Sequence, residues 1–323
     1  MKMKEQATKF EGCRVCGKVS DQVLSDVLRR GNGTVYYCDS CDHGFMASTI
    51  NMDEKTYYEK VYRQEYSHRA DAAKTNAQEL FETYRNYQAD RLRLLSPYLN
   101  SDTDLLEVGA SAGQFLVNVK DGLRKANAIE LDKECCDFLE KELHVSSDSD
   151  YLSESRFANE VYDVVCSFQV MEHVADPVQF LKELVGSTKK GGRIFVEVPN
   201  LHDPLLAVWD LEVYKQFYYH AAHLSYFTEK SLRETAKRAG VNANNIQIHF
   251  TQDYNLLNHL SWVMNQEPQK TCHVGLSEIR LGDGSGEIAT WLTAELQRVG
   301  REYVDKLVAA KSTSNVMMVI VNE

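Results

Sequence analysis

The sequence predicts an α/β fold, an open and mainly parallel sheet carrying a ligand site, with a small metal-stapled module in front of it. Three observations carry that expectation. Asp104–Leu116, DLLEVGASAGQFL, reads as a buried strand, a turn of small residues and the start of a helix, the opening unit of a nucleotide-type site in such a sheet. Apolar strand-like runs then alternate with amphipathic segments as far as Val321, the pattern of a layered α/β domain. Ahead of them, Cys13-x-x-Cys16 and Cys38-x-x-Cys41 stand at metal spacing.

Composition sets the outer bounds. The chain has 323 residues, 43% of them hydrophobic and 26% charged, ordinary values for a globular protein. Its net charge of −11 disfavours nucleic acid as a partner, since that needs a basic footprint. No apolar run reaches the roughly 18 residues of a membrane span, and the N-terminus, MKMKEQATKF, lacks a secretory apolar core. Eight cysteines without a signal point to a reducing, cytoplasmic location, where thiols bind metal or stay buried.

Residues 1–50 are read as a zinc-binding module. The two cysteine pairs flank the 21 residues 17–37 and can close a tetrahedral Zn²⁺ site. Four thiolates leave no open position, so the metal is structural. Val23-Leu24, Val27-Leu28 and Thr34–Tyr37 read as short strands around a Gly31-Asn-Gly33 turn. A redox pair or chance proximity is the rival reading, and His43 could replace one ligand. Residues 51–100 form a helical lead-in and lid. Tyr58, Tyr62 and Tyr66 follow at four-residue spacing after Tyr57, either packing or, at Tyr62 or Tyr66, covering the ligand pocket. A second helix carries Leu80, Tyr84, Tyr87, Leu92 and Leu95, with Pro97 near its end.

Residues 101–323 hold the ligand domain. Gly109 and Gly113 let the backbone turn sharply, and the helix expected from Phe115 points its first N–H groups at the same spot. Glu107 would repel a pyrophosphate but tolerate a ligand carrying an ammonium group or free hydroxyls. S-adenosylmethionine (SAM) carries both. Glu130 ends the next strand about 20 residues later, where a carboxylate can accept both ribose hydroxyls. Asp132 caps the following helix, and the adjacent Cys135 and Cys136 are packing residues. Asp148 or Asp150, after the third strand, can accept from an adenine amine. Tyr162–Ser167 is a fourth strand that opens at Phe168-Gln169-Val-Met-Glu-His173, and Asp176-Pro177 starts a helix. Gly191-Gly192 leads into a fifth strand, Arg193–Pro199.

In order and spacing, Asp104–Gly113, Glu130, Tyr162–Val165, Gln169–Val174 and Gly191–Asn200 resemble the class I SAM-dependent methyltransferases. The resemblance implies a Rossmann-like, seven-stranded sheet with SAM on Glu107, Gly109, Ala110 and Gly113. It implies the ribose on Glu130 beside Leu131, the adenine near Asp150, and the methionine side near Gln169. The turn Ala110-Ser-Ala departs from the more glycine-rich form. A hydride-transferring dinucleotide enzyme is the competing topology, opposed by Glu107 and by the absence of G-x-G-x-x-G.

Residues 200–227 form a substrate-lid insertion: Trp209, Tyr214, Phe217–Tyr219, Tyr226 and Phe227 with His202, His220 and His223. Aromatic walls with a few titratable groups suit a small-molecule pocket, and histidine is the natural base near neutral pH. Together with the cysteine knuckles, Tyr66-Ser67 and Glu197-Val-Pro199, this stretch resembles the zinc-binding sugar C-methyltransferases of deoxysugar pathways. That resemblance implies His223 as the base within His-Leu-Ser-Tyr-Phe, with His173, His220 and Tyr66 assisting. Ala222 stands where an acid is usual and His220 where a tyrosine is usual, and the chain ends before that family's additional C-terminal domain. The rest completes the sheet. Thr228 caps a helix, Ile246–Phe250 is a sixth strand, and Gln266–Gly286 is a polar insertion. A long helix carries Ile288, Trp291, Leu292, Leu296, Val299, Tyr303 and Leu307, and Val316–Val321 closes the sheet as an antiparallel edge. The expected activity is methyl transfer from SAM to a small polar acceptor, a sugar or nucleotide sugar. The alternatives are an RNA methyltransferase targeted by the zinc module and a non-catalytic SAM-binding interaction protein.

Overall fold

The computed structural model describes residues 12–29, 33–46, 76–269, 271–282 and 286–323. Residues 30–32 of the first turn, and Tyr57, Tyr58, Tyr62 and Tyr66, lie outside them. Three short strands open the chain, β1 (Val23–Ser25), β2 (Val35–Cys38) and β3 (His43–Met46). They are followed by helices α1 (Ala77–Tyr84) and α2 (Ala89–Leu95). One continuous helix was expected across these last two. The chain breaks it at residues 85–88, where the Gln88 side-chain amide donates to Tyr84 O at 3.0 Å and competes with the helical backbone bond.

The ligand domain then runs through β4 (Asp104–Val108), β5 (Lys125–Ile129), α3 (Lys133–Lys141), β6 (Ser146–Asp148), β7 (Tyr162–Phe168), α4 (Pro177–Gly186) and β8 (Thr188–Pro199). The lid holds α5 (Pro204–Ala207), α6 (Glu212–Tyr218) and β9 (Ser225–Tyr226). After it come α7 (Glu229–Arg238), β10 (Ile246–Thr251), α8 (Leu256–Asn265), α9 (Cys272–Leu276), α10 (Glu287–Ala309) and β11 (Asn315–Val321). The expected caps form. Asp132, Asp176 and Thr228 each accept a backbone N–H in the first turn of their helix.

Seven strands make the main sheet in the order β10-β11-β8-β7-β4-β5-β6. β11 runs antiparallel to both neighbours, and the ladder from β8 to β6 is parallel. The last strand is therefore not the edge. Val316–Ile320 are buried in unbroken succession, which a strand achieves with partners on both sides, and β10 takes the edge. Alternate residues of the central strands feed two cores. Leu106, Val165 and Val196 face α4 and α7, whereas Leu105, Val164 and Phe195 face Phe81, Leu95 and Leu139.

One further expectation fails locally. No α-helix follows the glycine turn. Short 3₁₀ turns at Leu116–Asn118 and Lys120–Gly122 replace it, because Val117 and Val119 are β-branched and Asn118 Nδ2 donates to Gln114 O at 2.9 Å. On α10 only Leu307 is buried, while Ile288, Trp291, Leu292 and Val299 are exposed. Helical spacing identifies an apolar face but not whether anything covers it. Among the described residues, no helix is long and apolar enough to cross a membrane.

A second, four-stranded sheet has the order β1-β2-β3-β9. Its last strand comes from the lid, with Gly44 opposite Tyr226 and Phe45 opposite Ser225. Thr228 Oγ1 donates to Asp42 O at 2.8 Å alongside. The N-terminal strands and the lid thus share one hydrogen-bonded ladder.

Candidate active site

β4 ends in a turn whose geometry is set by packing as much as by any ligand. Gly109 and Gly113 have φ of +81° and +80°, where a side chain is strained. A Cβ on Gly109 would lie 2.2 Å from Val170 Cγ2, and one on Gly113 would lie 2.6 Å from Leu143 and 2.7 Å from Leu139. Ser111 is also left-handed, at φ +47°, and Glu130 holds it there. The Ser111 N–H donates to Glu130 Oε2 at 2.7 Å and the Asp132 N–H to Oε1 at 2.9 Å. One carboxylate thereby ties the glycine turn to the exit of β5. Ala110 is buried and Leu131 half-buried beside it. On the next loop, Asp148 accepts from the N–H groups of Asp150 and Arg156, so its oxygens serve the backbone.

Glu107 lies just beneath the turn, 3% exposed. Its Oε2 has no hydrogen-bond partner among the described residues. Burial pushes its carboxyl up to about 8, with Glu130 raising it further and Arg91 opposing. Next to it, at the carboxyl ends of β7 and β8, sits a polar network. The guanidinium of Arg91 bonds Glu197 Oε1, with Nε at 3.0 Å, and Gln88 Oε1 at 2.9 Å. Gln169, itself left-handed at φ +59°, donates to Glu197 Oε1 at 3.1 Å and Asn315 Oδ1 at 3.2 Å. Asn315 Nδ2 in turn donates to Asp253 Oδ2 at 2.6 Å.

The exit of β7 meets the lid at a histidine cluster. The His173 and His223 rings stand edge-on at 4.7 Å, and those of His220 and His223 are 3.7 Å apart. His173 Nδ1 lies 3.0 Å from Ala222 O, an arrangement that makes Nδ1 the donor and turns Nε2 toward Glu172 Oε1 at 3.7 Å. Glu172 is 1% exposed, and neither oxygen has a hydrogen-bond partner among the described residues. One ligand atom each of Glu172, His173 and His223 lies within 4.8 Å of the others. Tyr226 pins His220 at both backbone groups, accepting from its N–H at 3.0 Å and donating to its O at 3.1 Å. Burial holds the His173 imidazole down at about 4. It also holds His223 well below its usual range, with His220, His173 and Arg29 adding to the effect. Burial pushes Glu172 up to about 8.

These shifts oppose one another in a way that can be measured. His173 binds its proton less readily folded than unfolded, so its contribution is lost as the pH falls from 6.5 toward 4. Glu107 and Glu172 bind theirs more readily, so their contribution is full below 4.5 and lost as the pH rises toward 8. Between pH 6.5 and 8 the His173 contribution is constant while Glu107 and Glu172 lose theirs. Stability should fall there by about 2 kcal/mol for each of the two, at roughly 1.4 kcal/mol per unit. Urea unfolding at the two ends of that range should show Glu172→Gln removing about half the decline. An unchanged decline would mean that Glu172 is already charged in the fold.

The predicted site residues do not all converge. Glu107, Gly109, Ala110, Gly113 and Glu130 meet at the turn, and His173, His220 and His223 meet at the lid. His202 goes elsewhere, its Nε2 lying 3.5 Å from Asp42 Oδ1. The lid aromatics pack on one another more than they wall a cavity, with Tyr214 and Phe217 5.0 and 5.1 Å from Trp262. Glu172 was missed although it adjoins His173 in Gln169–His173. Arg91 carries no sequence signal, since only the fold brings a helix before β4 to the ends of β7 and β8.

At the other end of the lid sheet, the four cysteines cluster. Their sulfur–sulfur separations include 3.4 Å (Cys13–Cys41), 3.5 Å (Cys16–Cys38), 3.6 Å (Cys38–Cys41) and 3.7 Å (Cys16–Cys41). Ligands at about 2.3 Å from a tetrahedral Zn²⁺ would stand about 3.8 Å apart, so the donor set fits that ion. His43 does not join it. Its ring is fully buried against Phe227 at 4.8 Å.

A sheet in this order, with one antiparallel strand next to its edge and an acid-flanked glycine turn at the end of β4, is the Rossmann-like class I methyltransferase fold. The family model described as a methyltransferase domain matches residues 80–245. The chain belongs to that family. It is similar to the ubiquinone biosynthesis O-methyltransferase of Parvibaculum lavamentivorans, 42% identical over 43 residues, 13% of this chain and 17% of that protein. The match therefore spans about a sixth of that relative. Among solved structures, it is similar to a SAM-dependent methyltransferase from Archaeoglobus fulgidus, with a TM-score of 0.47, 18% identity, and 75% and 96% of the two chains covered. It is also similar to Haemonchus contortus phosphoethanolamine N-methyltransferase 2 in complex with SAM, with a TM-score of 0.47, 13% identity, and 94% and 71% covered.

Proposed function

We propose that this protein methylates a small polar acceptor, a sugar or nucleotide sugar, on carbon or oxygen, with His223 as the base. The observation that carries the reading is the cluster of His173, His223 and His220, with the buried Glu172 carboxyl beside His173 and His223, at the exit of the strand next to β4. When bound, SAM supplies an electrophilic methyl group on a sulfonium. Glu130, already fixed by the Ser111 and Asp132 N–H groups, would accept from the ribose hydroxyls, with Ala110 and Leu131 alongside. Asp150, at the exit of β6, would face the adenine amine. Gln169 would lie toward the methionine end. An ammonium group set against Glu107 Oε2, unpartnered among the described residues, would draw that carboxyl back to its charged form. The chain's own work is then to position acceptor and donor and to remove a proton at His223, with His173 and His220 holding its ring.

The four cysteines would hold one structural Zn²⁺, whose binding energy folds the module. Eight cysteines, none of them in a disulfide, suit a reducing cytoplasm. The decisive experiment is transfer of a labelled methyl group from SAM to a panel of nucleotide sugars, with structured RNA in parallel. Label on a sugar is the expected result. Label on RNA alone, or bound S-adenosylhomocysteine (SAH) with no transfer to any acceptor, would overturn the reading.

A further inference from the structure

Arg14 stands between Cys13 and Cys16, yet its side chain leaves the knuckle. It is buried and spreads over three carbonyls. Nε donates to Leu224 O at 3.1 Å, Nη1 to Ala175 O at 3.0 Å and Nη2 to Met46 O at 3.5 Å. Leu224 follows His223, and Ala175 lies two residues after His173. One planar group therefore spans the two loops whose histidine rings meet at 4.7 Å. The same junction is closed from both sides by the backbone. The Met46 N–H donates to Leu224 O at 3.0 Å, and the Leu224 and Ser225 N–H groups donate to Glu172 O at 2.9 and 3.0 Å. The knuckle that carries Arg14 is itself tight, with the Gly17 N–H donating to Cys13 O at 2.7 Å and the Cys13 N–H to Lys18 O at 2.8 Å.

A guanidinium holds several acceptors in one fixed plane, which a lysine cannot do. Zn²⁺ on four thiolates would also carry a net charge of about −2 beside this buried cation, favouring its placement. We infer that Arg14 is a positioning residue that couples the cysteine cluster to the histidine site, so that the filled knuckle holds His173 and His223 in register. This rests on the reading of those histidines as the acceptor site. It makes the zinc module part of the active-site scaffold rather than an appended domain.

Hydrogen exchange on the zinc-loaded full chain with SAH tests it. The comparison is of wild type with Arg14→Gln, Arg14→Lys and Lys18→Ala, the last being a control whose Nζ donates to Ser40 Oγ of the same module at 2.8 Å. In Arg14→Gln we expect zinc content and SAH affinity to stay within about twofold, while amides of 173–175 and 222–226 lose roughly tenfold or more of their protection. The seven-stranded core should be unchanged. Arg14→Lys, which keeps the charge but not the fork, should fall between, and Lys18→Ala should match wild type. Chelating the zinc from wild type should reproduce the Arg14→Gln pattern at the same amides and add little to that variant. Once an acceptor is known, kcat should drop by about 10²-fold with KM for SAM unmoved. Wild-type protection of both loops in Arg14→Gln would overturn the coupling. So would uniform loss of protection together with SAH binding in both Arg14 variants, which would make Arg14 a general support of the fold. Failure of SAH to bind wild type would instead sink the methyltransferase reading and leave the exchange comparison standing.

Discussion

Replacing His223 by alanine is expected to lower kcat by about 10²- to 10⁴-fold, the usual contribution of a positioned general base, while SAH affinity stays near wild type. On the proposed reading the donor sits at the β4 turn, whereas His223 belongs to the lid, so the two readouts separate. Burial and the neighbouring His220, His173 and Arg29 keep the imidazole well below its ordinary range. It is therefore neutral, with a lone pair available, throughout the physiological range. The acid limb of the kcat profile should accordingly lie below pH 6.5 and disappear in the variant. Steady-state kinetics with the labelled donor, together with SAH calorimetry, check both points. Full turnover in His223→Ala would remove the base assignment.

The second large effect concerns the cysteines. Elemental analysis of purified protein should find about one zinc per chain, and Cys41→Ser should lose it. The described part of the module buries little beyond Cys13, Val15, Leu28, Val35, Phe45 and Met46, too small a core for independent stability. In comparable zinc peptides the metal contributes on the order of 10 kcal/mol, so its removal should melt β1, β2 and β3 and release β9. One core of the seven-stranded sheet takes in Cys13, Val15 and Phe45 of the module, but the other, around Leu105, Val164 and Phe195, is independent of it, and the sheet should still bind SAH. Circular dichroism and SAH calorimetry before and after chelation test this. A second zinc would place an ion on Glu172, His173 and His223 and contradict His223 as a base. Unchanged spectra after complete zinc loss would refute the structural role.

Much of this molecule is legible along the chain because the signals are local. The CxxC pairs, the apolar runs of β4, β7 and β8, and the caps at Asp132, Asp176 and Thr228 each lie within a few residues of what they specify. Glu107 and Glu130 were readable for the same reason, since strand–turn spacing places them. The helix expected after the glycine turn gives way to 3₁₀ turns because Val117, Asn118 and Val119 oppose it. The stripe on α10 is apolar but uncovered, and the glycines of the turn answer to Val170, Leu139 and Leu143, which no local pattern reveals.

By itself, then, the sequence determined an α/β sheet, an acid-flanked turn and a four-cysteine knuckle, all written in spacing and periodicity. The tertiary structure decided which side chains meet at the lid. It brought His173 to His220 and His223 from roughly 50 residues away in the chain, sent His202 to Asp42, and showed Glu172 as a buried acid without a hydrogen-bond partner among the described residues. It also seated β9 on β3 and carried Arg14 from the knuckle to both histidine loops. Periodicity reports which face of an element is apolar or polar. Which distant groups meet there depends on how the chain closes, and that is settled by packing between elements far apart in sequence.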